Sequence, residues 1–324
     1  MKLLSSVPKL HFEKYGVSVP DGWDTVFIDH KIRIDDAKNN PDTDVLLTSS
    51  DEAVSGEIMD QMPGLKMIHT EGSGYDKIDV EAARARGIYV CNNRAANNLS
   101  VAEHTIGLIL TSMRRIPQNC AQYKALGFTE AKRLYHTQGE FELAGKTVGL
   151  IGFGAIGREV ARRLAGWSCD IAYYDPFRPS GEVEKQFGVR YMELDEMCRQ
   201  ADILSLHVPV LPSTINILDA RRIAMMKSGA LLINTGRGEL LDNNALAGAL
   251  EEGRICAALD VISPEPTPAD HVLLNLSDRA SERLIITTHI AGMTDEAFRR
   301  MLTRVVENMR KIEASETPEN NVYK

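Results

Sequence analysis

Residues 146–157 read Lys-Thr-Val-Gly-Leu-Ile-Gly-Phe-Gly-Ala-Ile-Gly, an apolar run that closes on Gly152-x-Gly154-x-x-Gly157 and opens directly into a helical pattern. A second apolar run, Ile171–Tyr174, follows and ends in Asp175. Gly152 permits the tight turn after the strand, Gly154 lets the backbone approach a pyrophosphate, and Gly157 lets the helix pack close to the strand. The unpaired N–H groups at the helix start, those of Ala155 and Ile156, and the positive end of the helix dipole then receive phosphate. Asp175, at the tip of the second strand, accepts from ribose hydroxyls. A glycine triplet alone marks only a tight turn. Strand, turn, helix and distal acid in this order predict a dinucleotide pocket, and the bland alternative shrinks to a doubly wound domain without its ligand.

A chain of 324 residues has room for two cored domains, since single cores stop growing at about 250–300 residues. Hydrophobic content of 44% and charged content of 25% are those of a soluble globular protein. A net charge of −8 argues against a nucleic-acid partner, which calls for a basic face. It does not exclude a small anionic substrate, because one arginine can dominate a cleft. Cys91, Cys120, Cys169, Cys198 and Cys256 are scattered, with no C-x-x-C spacing. They read as buried free thiols of a reducing cytoplasm, with no metal site. No run reaches the roughly 18 apolar residues of a membrane span, and the apolar stretch near Met1 is too short for a signal peptide. The expectation is a cytoplasmic protein without a membrane partner.

Two stretches alternate short β-rich runs with helical patterns, the mark of parallel-sheet units. In the first, strands are expected at Leu3–Ser5, Thr25–Ile28, Val45–Thr48, Lys66–His69 and Ile88–Cys91. The second begins at the glycine-rich strand and continues through Ile171–Tyr174, Ile203–His207, Ala230–Asn234, Ile255–Leu259 and Leu284–Thr288. That is at least six strands, enough for a full dinucleotide-binding sheet. Between the stretches Ser100 and Glu103 have the spacing of a capping box at the start of a long, nearly all-apolar helix, which suits a buried position between the domains. A last helix, Thr294–Ala314, is expected to return to the first domain and make it discontinuous. The expected bounds are 1–99 plus 293–324 for a substrate domain and 100–292 for a nucleotide domain.

Three segments lie just beyond strands of the second unit: Asn234-Thr-Gly-Arg-Gly238, Asp260-Val-Ile-Ser-Pro-Glu-Pro266 and Thr288-His-Ile-Ala-Gly292. Ligands of an open α/β sheet bind outside the carboxyl ends of its strands. Singly, Arg237 reads as a surface residue, Glu265 as a solvated turn and His289 as a helix cap. Together they supply an anion clamp, a titrating acid/base and a carboxylate to orient it. Those parts move a proton on a carbonyl or hydroxyl while a hydride moves to or from a cofactor.

With these segments assembled, the chain resembles the D-2-hydroxyacid dehydrogenase family, which includes phosphoglycerate dehydrogenases, glyoxylate/hydroxypyruvate reductases and D-lactate dehydrogenases. The motifs that carry the resemblance run along nearly the whole chain. They include Gly74-Tyr-Asp-Lys-Ile-Asp79, Asn97-Asn-Leu-Ser-Val-Ala-Glu103, the glycine triplet, His207-Val-Pro209, Asn234–Gly238, Leu259-Asp-Val261, Glu265-Pro266 and His289–Gly292. The resemblance implies a Rossmann-type doubly wound domain inserted into a smaller flavodoxin-like α/β substrate domain. It also implies an active site in the cleft between them, and a homodimer. It makes Arg237 the clamp for a substrate carboxylate, and His289 the group that gives a proton to the carbonyl oxygen in reduction. Glu265 is then the partner that favours the charged imidazole and fixes its tautomer. Asp260 is implied near the nicotinamide carboxamide. His207 and Pro209 fall on the adenosine side, by shape or by direct contact. Thr214, Thr235, Gly236 and Gly292 complete the implied cofactor contacts. On the substrate side stand Ser73 and Gly74, through their N–H groups, with Arg94 and Asn97.

Asp175 would repel a 2′-phosphate, which favours NAD. Arg178, between Pro176 and Pro179, leaves some tolerance of NADP open. Phosphoglycerate-specific relatives carry arginines in the loops after the third and fourth strands, where this chain aligns Thr48 and Thr70. Arg94 either meets a second anionic group or faces solvent. Glu71 either favours a polar or cationic substrate tail or points away. The leading expectation is an NAD-dependent reductase of a small 2-ketoacid. The alternative is an NAD(H)-sensing binding protein like the family's transcriptional corepressors, disfavoured because two domains fill the chain without an appended tail.

Overall fold

The computed structural model describes residues 1–138 and 140–323, and the chain divides into two compact units, Met1–Asn97 with Met293–Lys324, and Asn98–Gly292. Unit 1 holds β1 (Lys2–Ser5), β2 (Asp24–Phe27), β3 (Val45–Thr48), β4 (Met67–Thr70) and β5 (Tyr89–Cys91). All pair in parallel, in the order β2-β1-β3-β4-β5. That is the flavodoxin-like order, whose ligand crevice opens between β1 and β3. Parallel strands buried on both faces need continuous apolar runs, and Val45-Leu-Leu-Thr48 and Met67-Ile-His-Thr70 are buried throughout.

The helix Asp295–Glu313 belongs to this unit although more than half the chain separates it from β5. Thr294 caps it by accepting from the Ala297 N–H at 3.2 Å, Asp295 and Glu296 sit at its positive end, and Arg310 and Lys311 at its negative end. Leu302, Val305, Val306, Met309 and Ile312 recur at helical spacing and pack with Leu3, Phe12, Leu47 and Met67 in one core cluster. Unit 1 therefore lacks part of its core until the end of the chain has been made.

Unit 2 holds β6 (Thr147–Ile151), β7 (Asp170–Tyr174), β8 (Val189–Tyr191), β9 (Ile203–Leu206), β10 (Leu231–Asn234), β11 (Cys256–Leu259) and β12 (Leu284–Ile286). They form one parallel sheet in the order β12-β11-β10-β9-β6-β7-β8. Strand order reverses beside β6, at the β6/β9 boundary, so the crevice at the carboxyl ends of those strands is the topological switch point. The short strand β8 has no counterpart in the sequence reading. Val189-Arg-Tyr191 lies at the sheet edge with an exposed arginine at its centre, so it shows no apolar run.

The helix Asn98–Met113 starts earlier than the sequence suggested. Ser100 is its third residue, so the Ser100–Glu103 capping box does not form; Glu103 is exposed and pairs with Arg163 at 3.0 Å. Nor is the helix buried all round, since Glu103 and Gly107 are exposed while Val101, Ala102, Leu108 and Ile109 are buried. Of the five free cysteines, Cys120 is exposed rather than buried.

Fully buried His69 and half-buried His207 make stability depend on pH. His69 in β4 has Nδ1 at 2.8 Å from the Thr70 carbonyl and Nε2 at 3.1 Å from Asn308 Nδ2, and burial pulls its pKa down to about 4. Burial lowers His207 to about 3. Unfolded, both rings take a proton near pH 6.5; folded, they refuse it until about pH 4 and about pH 3. The unfolded chain thus binds more protons across this window. Stability present above pH 6.5 is expected to fall by about 1.4 kcal/mol per pH unit for each ring as the pH drops. Urea titrations between pH 7 and 5 check this, and His69→Gln should flatten the slope. An unchanged midpoint would show that both rings accept protons in the folded protein.

Candidate active site

The glycine-rich turn of unit 2 is shaped by close backbone approaches. Gly152 has a φ of +101°, and a Cβ there would lie 2.5 Å from the His207 carbonyl oxygen; a Cβ on Gly157 would lie 2.2 Å from the Gly152 oxygen. Gly154 has open space on its Cβ side. The N–H groups of Ala155 and Ile156, in the first turn of the helix Ala155–Leu164, have no intrahelical acceptor. Asp175, half-buried beyond β7, accepts from the Phe153 N–H at 2.8 Å and the Phe177 N–H at 2.9 Å. These bonds tie Asp175 to the turn and leave acceptor capacity on both oxygens. His207 binds Ser205 Oγ through Nε2 at 2.9 Å, while its buried Nδ1 has no partner among the described residues. A clear backbone cradle, a ribose acceptor and an orphaned buried nitrogen fit a dinucleotide.

Other expected contacts are partly taken up within the protein. Thr214 Oγ1 donates to the Pro209 carbonyl at 2.6 Å and accepts from the Leu211 N–H at 2.7 Å, holding its own turn. Buried Thr235 meets Thr105 Oγ1 at 3.0 Å. Gly236 and Gly292 are half-buried. Arg178 is held by Glu184 through two bonds, 2.8 and 3.3 Å, and stacks 4.8 Å over the Tyr191 ring. Its guanidinium is therefore committed within its own loop region.

Arg237, Glu265 and His289 stand in the loops after β10, β11 and β12, three adjacent strands. Half-buried Arg237 is placed by Asn234, whose Nδ2 donates to the Arg237 carbonyl at 2.8 Å while its Oδ1 accepts from the Gly236 N–H at 3.0 Å. A Cβ on Gly238 would lie 2.1 Å from the Ser263 nitrogen, so this loop touches the Glu265 loop backbone to backbone. The two peptide bonds preceding Pro264 and Pro266 are cis. Glu265 Oε2 lies 2.9 Å from His289 Nδ1. A carboxylate can only accept, so Nδ1 carries the hydrogen and Nε2 is left for chemistry. Both side chains are about half exposed, 44% and 48%, so ligands can reach them.

His289 itself adopts a left-handed φ of 56°, unusual for a residue with a side chain and sustained only where neighbours dictate it. Asp260 is what dictates it. Its carbonyl accepts from the His289 N–H at 2.8 Å, and its carboxylate, 1% exposed, accepts from Ile290 N at 3.0 Å, Ala291 N at 2.9 Å and Thr287 Oγ1. Asp260 thus clips the loop that presents the imidazole. His104 Nε2 adds a contact to Thr287 Oγ1 at 3.1 Å. Nothing in the sequence singled out His104 or Thr287, because neither lies in a motif and both act across the fold.

In unit 1 the segment Thr70–Ser73 is pinned by its carbonyls. Asn93 Nδ2 donates to Thr70 O and Glu71 O, the Asn93 N–H to Gly72 O, and Asn92 Nδ2 to Ser73 O at 2.8 Å. The N–H groups of Ser73 and Gly74 donate to nothing among the described residues, which leaves both available to an acceptor. Asn92 and Asn93 were missed in the sequence, where an Asn doublet has no spacing signature. Asn97 is half-buried and Arg94 exposed, its carbonyl held by Arg304 at 2.9 Å. Glu71 is paired with His11 at 2.9 Å, so its charge is already met; the carboxylate holds the His11 ring above its usual pKa. Thr48 and Thr70 are buried and bring no positive charge to the ends of β3 and β4. Among the described residues no cluster of potential metal ligands occurs and no helix is long and apolar enough to cross a membrane.

Comparison with known proteins gives a consistent set of likenesses. The family described as D-isomer specific 2-hydroxyacid dehydrogenase, NAD binding domain, matches residues 106–291. A D-3-phosphoglycerate dehydrogenase of Methanocaldococcus jannaschii is 41% identical over 87% of this chain; the chain spans about half, 52%, of that relative's length. A hydroxypyruvate reductase of Thermotoga maritima is 39% identical over 84% of this chain and 85% of its own. The apo-structure of D-lactate dehydrogenase from Escherichia coli superimposes with a TM-score of 0.84 at 28% identity, covering 99% of this chain and 100% of that one.

Proposed function

The chain belongs to the D-isomer specific 2-hydroxyacid dehydrogenase family, with an NAD-binding domain, and on that premise we propose that it is an NAD-dependent reductase of a small, unphosphorylated 2-ketoacid. The observation that carries the reading is the 2.9 Å pair between His289 Nδ1 and Glu265, set with Arg237 at the carboxyl ends of three adjacent strands of the sheet that also forms the nucleotide cradle. Arg237 takes the substrate carboxylate, for which a planar and permanently charged fork is suited. In unit 1 the free N–H groups of Ser73 and Gly74 are donors for a carboxylate oxygen. NADH, when bound, supplies the hydride to the carbonyl carbon. His289 Nε2 gives its proton to the carbonyl oxygen as the C=O bond becomes C–OH, and takes it back in the oxidative direction. Glu265 holds the imidazole in the tautomer this requires, and the Asp260 clip holds the loop.

A panel of ketoacids with NADH tests the proposal. Glyoxylate, hydroxypyruvate or another unphosphorylated ketoacid should turn over, and 3-phosphoglycerate should be a poor substrate in the reverse direction. Comparable efficiency with 3-phosphoglycerate would overturn the substrate class, and absence of turnover with every member would favour the sensing protein.

NAD over NADP rests on Asp175 and on the engagement of Arg178 by Glu184. Asp175→Ser should weaken NADH binding and raise the NADPH-to-NADH efficiency ratio at least about tenfold, the scale of one repulsive charge removed. An unchanged ratio in steady-state kinetics would take Asp175 away from the ribose.

The same proposal includes a homodimer. It is supported by Ile116, Tyr123, Leu126 and Phe128, which are 52–65% exposed on the helical segment Ile116–Gln138, an apolar patch of the kind that marks association. Light scattering of the eluted protein decides it, and a monomer at micromolar concentration would sink it.

A further inference from the structure

A cavity of about 280 Å³ lies at the amino ends of the unit 2 strands, bordered by the residues that begin or precede β6, β9, β10, β11 and β12. The nucleotide cradle and the catalytic loops are at the carboxyl ends, about 15 Å away along strands of this length. Nothing in the proposed reaction uses this end of the sheet.

Its chemistry is that of an anion site with an apolar floor. Lys146, Arg115 and Arg283 all line it. The Lys146 ammonium sits 5.1 Å over the Phe141 ring. Neither Lys146 nor Arg283 has a carboxylate within ion-pair distance among the described residues, whereas Arg115 meets Glu282 at 3.3 Å. The lining carboxylate, Asp202, is already satisfied by the Thr147 N–H and by Lys227, both near 2.8–2.9 Å. Positive charge therefore exceeds negative charge at the cavity.

One further feature points to an occupant. Ser112 Oγ is buried at the cavity wall and has no partner among the described residues, a situation proteins avoid because a lost hydrogen bond is not replaced by water. Arg115 is the left-handed cap of the helix that ends at Met113, its φ of 46° turning the chain past the cavity. Cys256 also lines the cavity; burial pushes its thiol up while Arg115 and Arg283 pull it down, so both guanidinium groups bear on that sulfur. Met113, Phe141 and Leu231 supply the apolar surface.

We propose that this cavity binds a small carboxylate with an apolar body, its charge met by Arg283 and Lys146 and its second oxygen by the Ser112 hydroxyl. The volume suits a molecule the size of a benzoate, below the roughly 300–1,000 Å³ of drug-sized sites. The ligand is distinct from the substrate, which is held at the other end of the strands.

Cys256 gives a local readout. The full-length protein is alkylated with iodoacetamide at pH 9 and followed by mass spectrometry, with exposed Cys120 as internal reference and benzoate as probe. At about ten times its Kd, benzoate leaves about a tenth of the sites empty, so Cys256 labelling should slow about tenfold while Cys120 is unaffected. Arg283→Met, which keeps the volume and removes the charge, should weaken the protection at least about tenfold in concentration. Arg237→Ala should retain it, because that clamp belongs to the other face. Equal protection by inorganic phosphate, no protection by benzoate, or equal protection in Arg283→Met would each overturn the proposal. Calorimetric titration of benzoate into the Arg237→Ala protein reads the same site without the thiol. Absence of binding heat there, or heat that Arg283→Met leaves unchanged, overturns it equally.

Discussion

His289→Ala is expected to lower turnover at least about a hundredfold, the scale of a lost general acid, while NADH binding stays nearly intact. The separation follows from where the parts sit. The nucleotide cradle is built by the turn after β6 and the acid beyond β7, whereas the imidazole stands beyond β12, held by Glu265 at 2.9 Å and by the backbone of Asp260 at 2.8 Å. Removing the ring leaves Asp260 and its bonds to Ile290 and Ala291 in place, so the loop keeps its course. Fluorescence titration of NADH beside steady-state turnover reads both quantities. Near-full turnover in His289→Ala would remove His289 from the acid/base role altogether.

Arg237→Ala should fail differently, raising the KM for the ketoacid strongly and lowering kcat as well. One guanidinium both anchors the carboxylate and stabilises negative charge growing on the carbonyl oxygen, so its loss is felt in the ground state and again in the transition state. The combined loss in kcat/KM should be about a hundredfold to a thousandfold, typical of an oxyanion donor removed. Arg237→Lys should recover only part of it, because an ammonium keeps the charge but cannot present the bidentate fork. The KM for NADH should hardly move in either variant. An Arg237→Ala enzyme with an unchanged ketoacid KM would place the carboxylate elsewhere.

The nucleotide cradle was legible because it is local. Gly152, Gly154 and Gly157 are constrained by atoms within a few residues or in the adjoining strand, and backbone sterics alone require them where they stand. The buried parallel strands were legible for the same reason, since continuous apolar runs such as Val45–Leu47 and Leu231–Ile233 suit little else. Their ends came within two residues. The start of the helix at Asn98 was not legible. A Ser-x-x-Glu spacing competes with whatever the preceding chain does, and here the helix has already begun when it reaches Ser100.

What tertiary structure decided were the partners. The sequence left open whether Glu71 favours a polar substrate tail or points away, and the resemblance implied Asp260 near the carboxamide; within the protein each is engaged by a group far away in the chain, Glu71 by His11 and Asp260 by the 287–291 loop. It offered Arg178 as a softener of cofactor choice, and Glu184, only six residues on, holds it. A charged side chain carries no mark of the group that will neutralise it. That depends on strand order, register and the direction of each turn, which bring distant residues within 3 Å only after the sheet is assembled. The sequence by itself determined that this chain would build a dinucleotide cradle beside Arg237, Glu265 and His289, because strand ends in a parallel sheet converge on one edge. Only the folded chain decided that His289 would pair with Glu265 through Nδ1 and be held in a left-handed turn by a buried Asp260, because a hydrogen bond needs its two atoms placed to a few tenths of an ångström, and no spacing in sequence specifies that.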